Sequence, residues 1–296
     1  MSRIKRKSDA GEFIITAEIV PSAAGGTRKL LAEAEPLRGL VDALNVTDGA
    51  GASTAMSSAA ASAILAANGF EPVLQLTCRD RNRLALCADM LGAAAQGIEN
   101  MLVLTGDDPS KGDQPDAKPV FDLHSAQLMD IARAMRDDAT LPNGKSIDEP
   151  PTFFIGAADV PCEPADDWKA EGLFAKAAHG AQFVQTQFCF DPELAAKYVA
   201  GLKKLELTDQ LTFLLGIGPI ASAKSARWMD QNLFGVNVPA HIIERIESAG
   251  DAAAQKKEGI VICRELLDVY RNMDGVGGVH IMAPAASTSA IAAVLK

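Results

Sequence analysis

Short apolar runs alternate with longer amphipathic stretches along the whole chain. The runs at 13–20, 43–48, 72–78, 101–106, 152–158, 183–190, 212–218 and 278–283 predict eight β-strands. Helical periodicity fills the intervals, at 27–37, 54–68, 81–95, 123–137, 166–179 and 192–205, and then at 221–233, 239–248, 252–272 and 287–295. Strand followed by helix, eight times over, is the pattern of an α/β chain folded as a (β/α)8 TIM barrel. A doubly wound sheet would alternate similarly, and the strand count decides between them. No linker or shift of composition divides residues 1–296, so a single catalytic domain is expected, with 1–11 as a flexible N-terminal segment. The irregular stretches 107–120 and 139–151 adjoin strands 4 and 5, and the first follows a strand's C-terminal end, where a lid would lie.

One strand breaks its own pattern. FIITAEIVPS, residues 13–22, carries Glu18 among apolar neighbours, where an ionised carboxylate is costly to bury. In a barrel the C-terminal strand ends build the active site. Those ends bring Glu18, Thr47, Asp48, Gln75, Thr77 and Thr105 to one rim. Asp107, Asp159, Gln185, Gln187 and His280 join them there. Glu18 and Asp107, on strands expected to stand across the barrel, form a carboxylate pair in different surroundings. Desolvation raises the pKa of the first toward the range of a general acid. A salt bridge is the alternative for Glu18, and backbone hydrogen bonding the alternative for the Thr and Gln residues.

Composition narrows the chemistry. The chain has 296 residues, 48% of them hydrophobic, with a mean hydropathy of +0.08, enough for a large core. A formal charge of −10 argues against nucleic acid or an anionic membrane surface as partner. Five widely spaced cysteines form no CxxC pair and no metal-ligand spacing with the four histidines, so no metal is expected and a reducing cytoplasm is. The basic start MSRIKRKSDAGEF lacks a signal peptide's apolar core, and no run approaches membrane-spanning length. No strand carries a lysine for Schiff-base chemistry, and 5% aromatic residues leave few stacking platforms for sugars. GIGPIA at 216–221 imitates a dinucleotide fingerprint, but Pro219 interrupts it and no ribose-binding acid follows; a tight barrel turn explains the glycines.

Six motifs in register along the chain, AEIVPS, NVTDGAG, QLTC, VLTGDDP, FVQTQFCFD and LLGIGPI, resemble the 5,10-methylenetetrahydrofolate reductase family. The resemblance implies a (β/α)8 barrel that reduces methylenetetrahydrofolate to 5-methyltetrahydrofolate. It makes Glu18 the acid that protonates N10 of the folate. That opens the imidazolidine ring to an N5-iminium cation, which takes hydride at its methylene carbon. Asp107 then orients the pterin and supports the cation, and Gln187, with Gln185 beside it, binds the pterin. Family members ordinarily relay hydride through FAD, and here the flavin side departs from them. Gln75 stands for a histidine, Thr105 for an arginine, Asp159 for a tyrosine, Glu163 for a histidine and Ala175 for a diphosphate-binding arginine. Thr47, Ala157 and Lys176 match the family's cofactor positions.

Trading cations for acids opposes a bound diphosphate. The expectation is therefore direct hydride transfer from NADH or NADPH, with FAD as relay the alternative and the nicotinamide dinucleotide and the folate as partners. A folate-dependent methyltransferase and a non-catalytic folate-binding barrel are the rival readings, and a homo-oligomer is a family expectation. Ala223 replaces a family phenylalanine that packs on the folate's aminobenzoate. Lys224 and Arg227 are candidates for a glutamate tail, and Arg271 and Asn272 align loosely with folate contacts.

Overall fold

In the computed structural model, which describes residues 1–283 and 287–296, eight parallel strands close into a barrel in chain order. The strands are β1 (Ile14–Ile19), β2 (Ala43–Val46), β3 (Pro72–Thr77), β4 (Asn100–Leu104), β5 (Phe154–Asp159), β6 (Phe183–Phe188), β7 (Thr212–Ile217) and β8 (Gly278–Ile281). A short helix α1 (Arg3–Asp9) precedes β1, and α2 (Arg28–Ala34), α3 (Ser58–Ala67), α4 (Arg83–Ala95), α5 (Ser125–Asp137), α6 (Glu171–Ala178) and α7 (Pro192–Lys204) follow β1 to β6. Three helices, α8 (Ala223–Asn232), α9 (Ala240–Ser248) and α10 (Ala252–Arg271), connect β7 to β8, and α11 (Thr288–Leu295) follows β8. The pairing closes where β1 meets β8, with Thr16 opposite His280. No helix among the described residues is long and apolar enough to cross a membrane.

Side chains alternate along each strand, so each strand serves two environments. Ala17, Ile19, Val46, Leu74 and Leu76 belong to the large core between sheet and helices. Their neighbours Ile14, Ala43, Val73, Leu102, Phe183 and Leu214 form a separate apolar cluster inside the barrel. Phe154 completes it, its ring stacked on that of Phe183 with centroids 4.8 Å apart.

Residues 1–11, expected to be flexible, are largely helical and closely tied to the barrel. Ile4 of α1 is fully buried in the interior cluster and plugs the N-terminal end of the strands. The Glu71 carboxylate accepts the backbone N–H groups of Arg3 and Ile4 at 2.8 and 3.0 Å, an anion at the positive end of a helix. Lys7 pairs with Asp42 at 2.8 Å, and the Ser8 and Thr212 hydroxyls meet at 2.6 Å.

Predicted strand positions hold throughout, with ends differing by one or two residues. The largest helix differences are α3 and α6, which begin at Ser58 and Glu171 rather than 54 and 166. Ahead of α3 the chain turns through left-handed Ala52, and ahead of α6 through left-handed Ala170. The stretch 107–120 is fastened rather than loose. Asp113 accepts the N–H of Thr54 at 2.9 Å, and Val120 N–H bonds the Arg79 carbonyl at 2.7 Å.

Candidate active site

Above the apolar plug the barrel interior turns polar. Thr16, Asn45, Gln185 and His280 form a buried layer. His280 Nδ1 lies 2.9 Å from Thr16 Oγ1, Gln185 Nε2 donates to that oxygen at 3.3 Å, and Asn45 Nδ2 approaches His280 Nε2 at 3.4 Å. A proton on Nδ1 satisfies this set, with Nε2 accepting from Asn45. Burial pushes His280 down to about 3, so the ring is neutral at physiological pH. Expected at the rim, His280 is instead one layer beneath it. Three buried polar atoms in these layers have no partner among the described residues: Asn45 Oδ1, Gln185 Oε1 and, one turn of the pleat above Asn45, Thr47 Oγ1.

The layer floors a cavity of about 600 Å³ at the C-terminal ends of the strands. Glu18 opens onto it, half-buried, with no salt-bridge partner among the described residues. Burial lifts its carboxyl from the usual 4.5 to about 7. Asp107 faces the same space from the loop after β4, and its Oδ2 accepts the Gly51 N–H at 2.8 Å. The two carboxylates thus share one cavity, though not from opposite strands. In a ring of eight, β5 stands across from β1, and β4 is one place short of it.

Gln187 reaches the cavity by the alternation that also turns Phe183 and Gln185 inward, beside an irregularity in the ladder. The β6–β7 register shifts between Gln185 and Phe188, and the Thr186 hydroxyl fills the gap by accepting the Gly216 N–H at 2.9 Å. A Cβ on Gly216 would lie 2.4 Å from the Thr186 carbonyl oxygen, so the bulged strand requires glycine there. This close approach accounts for the first glycine of GIGPIA. The Gln187 side chain is held at both ends: Oε1 accepts the Phe188 N–H at 3.0 Å, and Nε2 donates to the Phe234 carbonyl at 3.2 Å. One amide N–H remains for a ligand.

The cofactor-side candidates divide. Thr47, Gln75, Thr105, Asp159 and Lys176 all line the cavity. Ala157 does not: alternation turns it outward into the sheet–helix core, and Ala158 lines the cavity in its place. Asp159 is already engaged by Lys176 at 2.8 Å and by the Tyr198 hydroxyl at 2.5 Å. Glu163 pairs with Lys197 on the surface at 2.6 Å, outside the cavity. Arg227 pairs with Glu247 at 2.5 Å, which occupies one of the two candidates for a glutamate tail. Arg271 stacks on Phe13 at the start of β1, so the end of α10 lies at the barrel's opposite end from the cavity.

Asp48, at the end of β2, organises the rim. It accepts the Thr77 N–H and hydroxyl at 2.8 and 2.9 Å and the Ser58 hydroxyl at 3.1 Å, and it pairs with Arg81. Asn45 and Phe234 are among the lining residues that were not foreseen. Asn45 was hidden inside the apolar run ALNV, although strict alternation from Thr47 would have placed it inward. Phe234 lies in the connection after α8, where no periodicity marks it.

Comparison with known proteins agrees with the motifs. The family profile described as methylenetetrahydrofolate reductase matches residues 3–296. A probable methylenetetrahydrofolate reductase (NADPH) of Caenorhabditis elegans is 29% identical over 221 residues, 72% of this chain and 30% of that protein. Methylenetetrahydrofolate reductase 2 of Schizosaccharomyces pombe is 26% identical over 219 residues, 69% of this chain and 32% of its own. The chain therefore spans about a third of the length of these curated relatives. Among solved structures, an uncharacterized Clostridium thermocellum protein that binds two copies of 5-methyl-5,6,7,8-tetrahydrofolic acid superposes with a TM-score of 0.64 at 14% identity. The match covers 98% of this chain and 96% of that one, a likeness of fold. With the profile covering nearly every residue, this chain belongs to the methylenetetrahydrofolate reductase family.

Proposed function

We propose that the protein reduces 5,10-methylenetetrahydrofolate to 5-methyltetrahydrofolate with NADH or NADPH, by direct hydride transfer without a flavin. The observation that carries this reading is Glu18: a carboxyl lifted by burial to about 7, opening on a cavity floored by unpartnered polar atoms. A group of that pKa holds a proton near neutrality and delivers it readily, which is what ring opening requires. The unpartnered Asn45 Oδ1 and Gln185 Oε1 are acceptors suited to the N–H edge of a pterin, which would satisfy them.

In this mechanism the pterin enters with its polar edge toward Asn45 and Gln185 and with Gln187 donating its free amide N–H. Glu18 gives its proton to N10 as the bond between N10 and the methylene carbon breaks. The electron pair of that bond stays on N10, and N5 becomes an iminium. The Asp107 carboxylate, anchored by Gly51, offsets the positive charge. Hydride from the nicotinamide then reaches the methylene carbon and gives the N5-methyl group. The folate-binding neighbour of the same fold is consistent with this substrate class.

The residues present do not fit a flavin diphosphate. Among the described residues Lys176 is the cation lining the cavity, and its charge is taken by Asp159, whose second oxygen is taken by Tyr198. Glu18 and Asp107 add further acid around the same space. A resident FAD would have to hold its diphosphate against these carboxylates. A nicotinamide substrate needs only its ring inside, with its phosphates at the mouth, where water screens them.

Anaerobic oxidation of NADH by purified, colourless protein tests this reading. Methylenetetrahydrofolate-dependent turnover without added flavin is expected. Tightly bound yellow flavin, or activity strictly dependent on FAD, overturns the direct transfer. Absence of folate-dependent NADH oxidation under both conditions overturns the reductase.

A further inference from the structure

Phe234 stands apart from the other aromatic residues of this chain. It is 86% exposed, whereas Phe153, Phe183, Phe190 and Phe213 are fully buried in the core. A single exposed apolar side chain needs no explanation by itself. Its position supplies one: Phe234 lines the cavity that holds Glu18 and Asp107, and it is the aromatic residue among those lining it.

The backbone beneath the ring is closely fastened. The Phe234 carbonyl accepts from Gln187 Nε2 at 3.2 Å. Gly235 follows in the left-handed region at φ +73, where a Cβ would meet Val160 Cγ1 at 2.6 Å, so the turn presses against the end of β5. Val238 N–H bonds Asp230 Oδ1 at 3.0 Å, and Val236 N–H bonds the Leu233 carbonyl at 3.2 Å. Val236 and Val238 are buried, anchoring the loop on its far side. The loop is thus held at both flanks while its largest apolar side chain is left uncovered. An aromatic ring loses few rotamers on contact, so a ring presented on a fixed backbone is a low-entropy binding surface.

The chemistry of the proposed substrate decides which ring it meets. Glu18 must reach N10, and the pterin must descend to the polar floor. The aminobenzoyl ring is bonded directly to N10, so it leaves the reacting centre toward the mouth of the cavity. Phe234 is at that mouth, tied through its carbonyl to the amide that faces the pterin. Ala223, on the neighbouring helix, is buried and small and offers no stacking surface.

We propose that Phe234 is a substrate-binding residue, stacking its ring on the aminobenzoyl ring of the folate at the cavity mouth. The assignment rests on the folate reading and extends it to a residue on the loop between α8 and α9. It makes affinity for the outer half of the substrate depend on a side chain with no part in proton or hydride transfer.

The test is calorimetric binding of 5-methyltetrahydrofolate, a tetrahydropterin lacking the aminobenzoyl-glutamate, and NADH to wild type, Phe234→Ala and Phe234→Tyr. The alanine variant should bind 5-methyltetrahydrofolate about five- to tenfold more weakly, the loss of one aromatic stacking contact. Its affinities for the tetrahydropterin and NADH should be unchanged, and tyrosine should restore the folate affinity. Because the ring is exposed, the variant's melting temperature should match wild type. Undiminished folate binding by Phe234→Ala overturns the proposal, as does weakened NADH binding with folate binding intact, which assigns the ring to the nucleotide. Equal weakening for the tetrahydropterin also overturns it, since Phe234 would then act through Gln187 rather than by stacking. If wild type itself binds no 5-methyltetrahydrofolate, the folate reading falls with it, an outcome distinct from wild-type binding that the alanine variant shares.

Discussion

Thr16 Oγ1 and His280 Nδ1 meet at 2.9 Å inside the barrel, on the two strands that close it and two residues along β1 from Glu18. The hydroxyl joins first and last strands directly beneath the candidate acid. With the imidazole neutral, the layer below Glu18 presents dipoles and no formal charge. Nothing there stabilises an ionised Glu18, which is why burial alone governs its proton.

Glu18→Gln should reduce folate-dependent turnover by about 10²- to 10⁴-fold, the usual contribution of a positioned general acid. Binding of 5-methyltetrahydrofolate should be largely retained. In wild type the rate should fall as pH rises through about 7, because the deprotonated acid has no proton to give. Steady-state rates across this range decide it; normal turnover in the glutamine variant removes Glu18 from the mechanism.

Stability should respond to the same two groups with opposite signs. Between about 4.5 and 7 the folded chain keeps a proton on Glu18 that the unfolded chain has lost, so stability falls as pH rises through that window. Between about 3 and 6.5 the unfolded chain protonates His280 while the native ring stays neutral, so stability falls as pH drops. Relative to wild type, the melting temperature of Glu18→Gln should therefore rise as pH goes from about 4.5 to 7. That of His280→Gln should rise relative to wild type as pH goes from about 6.5 down to 3, whatever constant packing cost either substitution carries.

Asp107 has two tasks that substitutions separate. Asp107→Asn keeps an oxygen for the Gly51 N–H but loses the charge, so kcat should fall by about 10-fold or more while the loop stays ordered. Asp107→Ala should lose both. Hydrogen exchange at the Gly51 amide distinguishes them, with protection kept in the first and lost in the second.

Ile4→Ala should destabilise the protein by about 2 to 4 kcal/mol, because it leaves a cavity at a fully buried site. Denaturant unfolding measures it. A cost below about 0.5 kcal/mol would mean that α1 lies on the barrel without plugging it.

The barrel was legible because its strands are the chain's short apolar runs and its helices the stretches between them. Glu18 was legible for the same reason, as a charge where alternation has no use for one. Ala157 falls outside the cavity lining because motif spacing ignores the pleat, which turns its side chain to the opposite face from that of Ala158. Gln187 was legible from the alternation that turns Phe183 and Gln185 inward, whereas the irregular β6–β7 register beside it, which Gly216 permits, is a long-range pairing that local pattern does not encode. Ile4 is one apolar residue in a basic segment; its burial depends on a space created jointly by strands from β1 to β7. The engagement of Asp159 by Lys176 and Tyr198 was hidden likewise, since two separate helices supply its partners.

On the ribosome, α1 emerges before any strand, yet Phe183 and Leu214 are among the residues that cover Ile4, and β1 gains its second neighbour only with β8. Throughout translation of this segment the nascent chain displays an uncovered stopper for a vessel not yet built. Closure is therefore a late, collective event: α1, made ahead of the barrel it seals, is among the last elements to find its place, and a ribosome-bound fragment ending before β7 lacks both the ring and part of the seat that α1 needs.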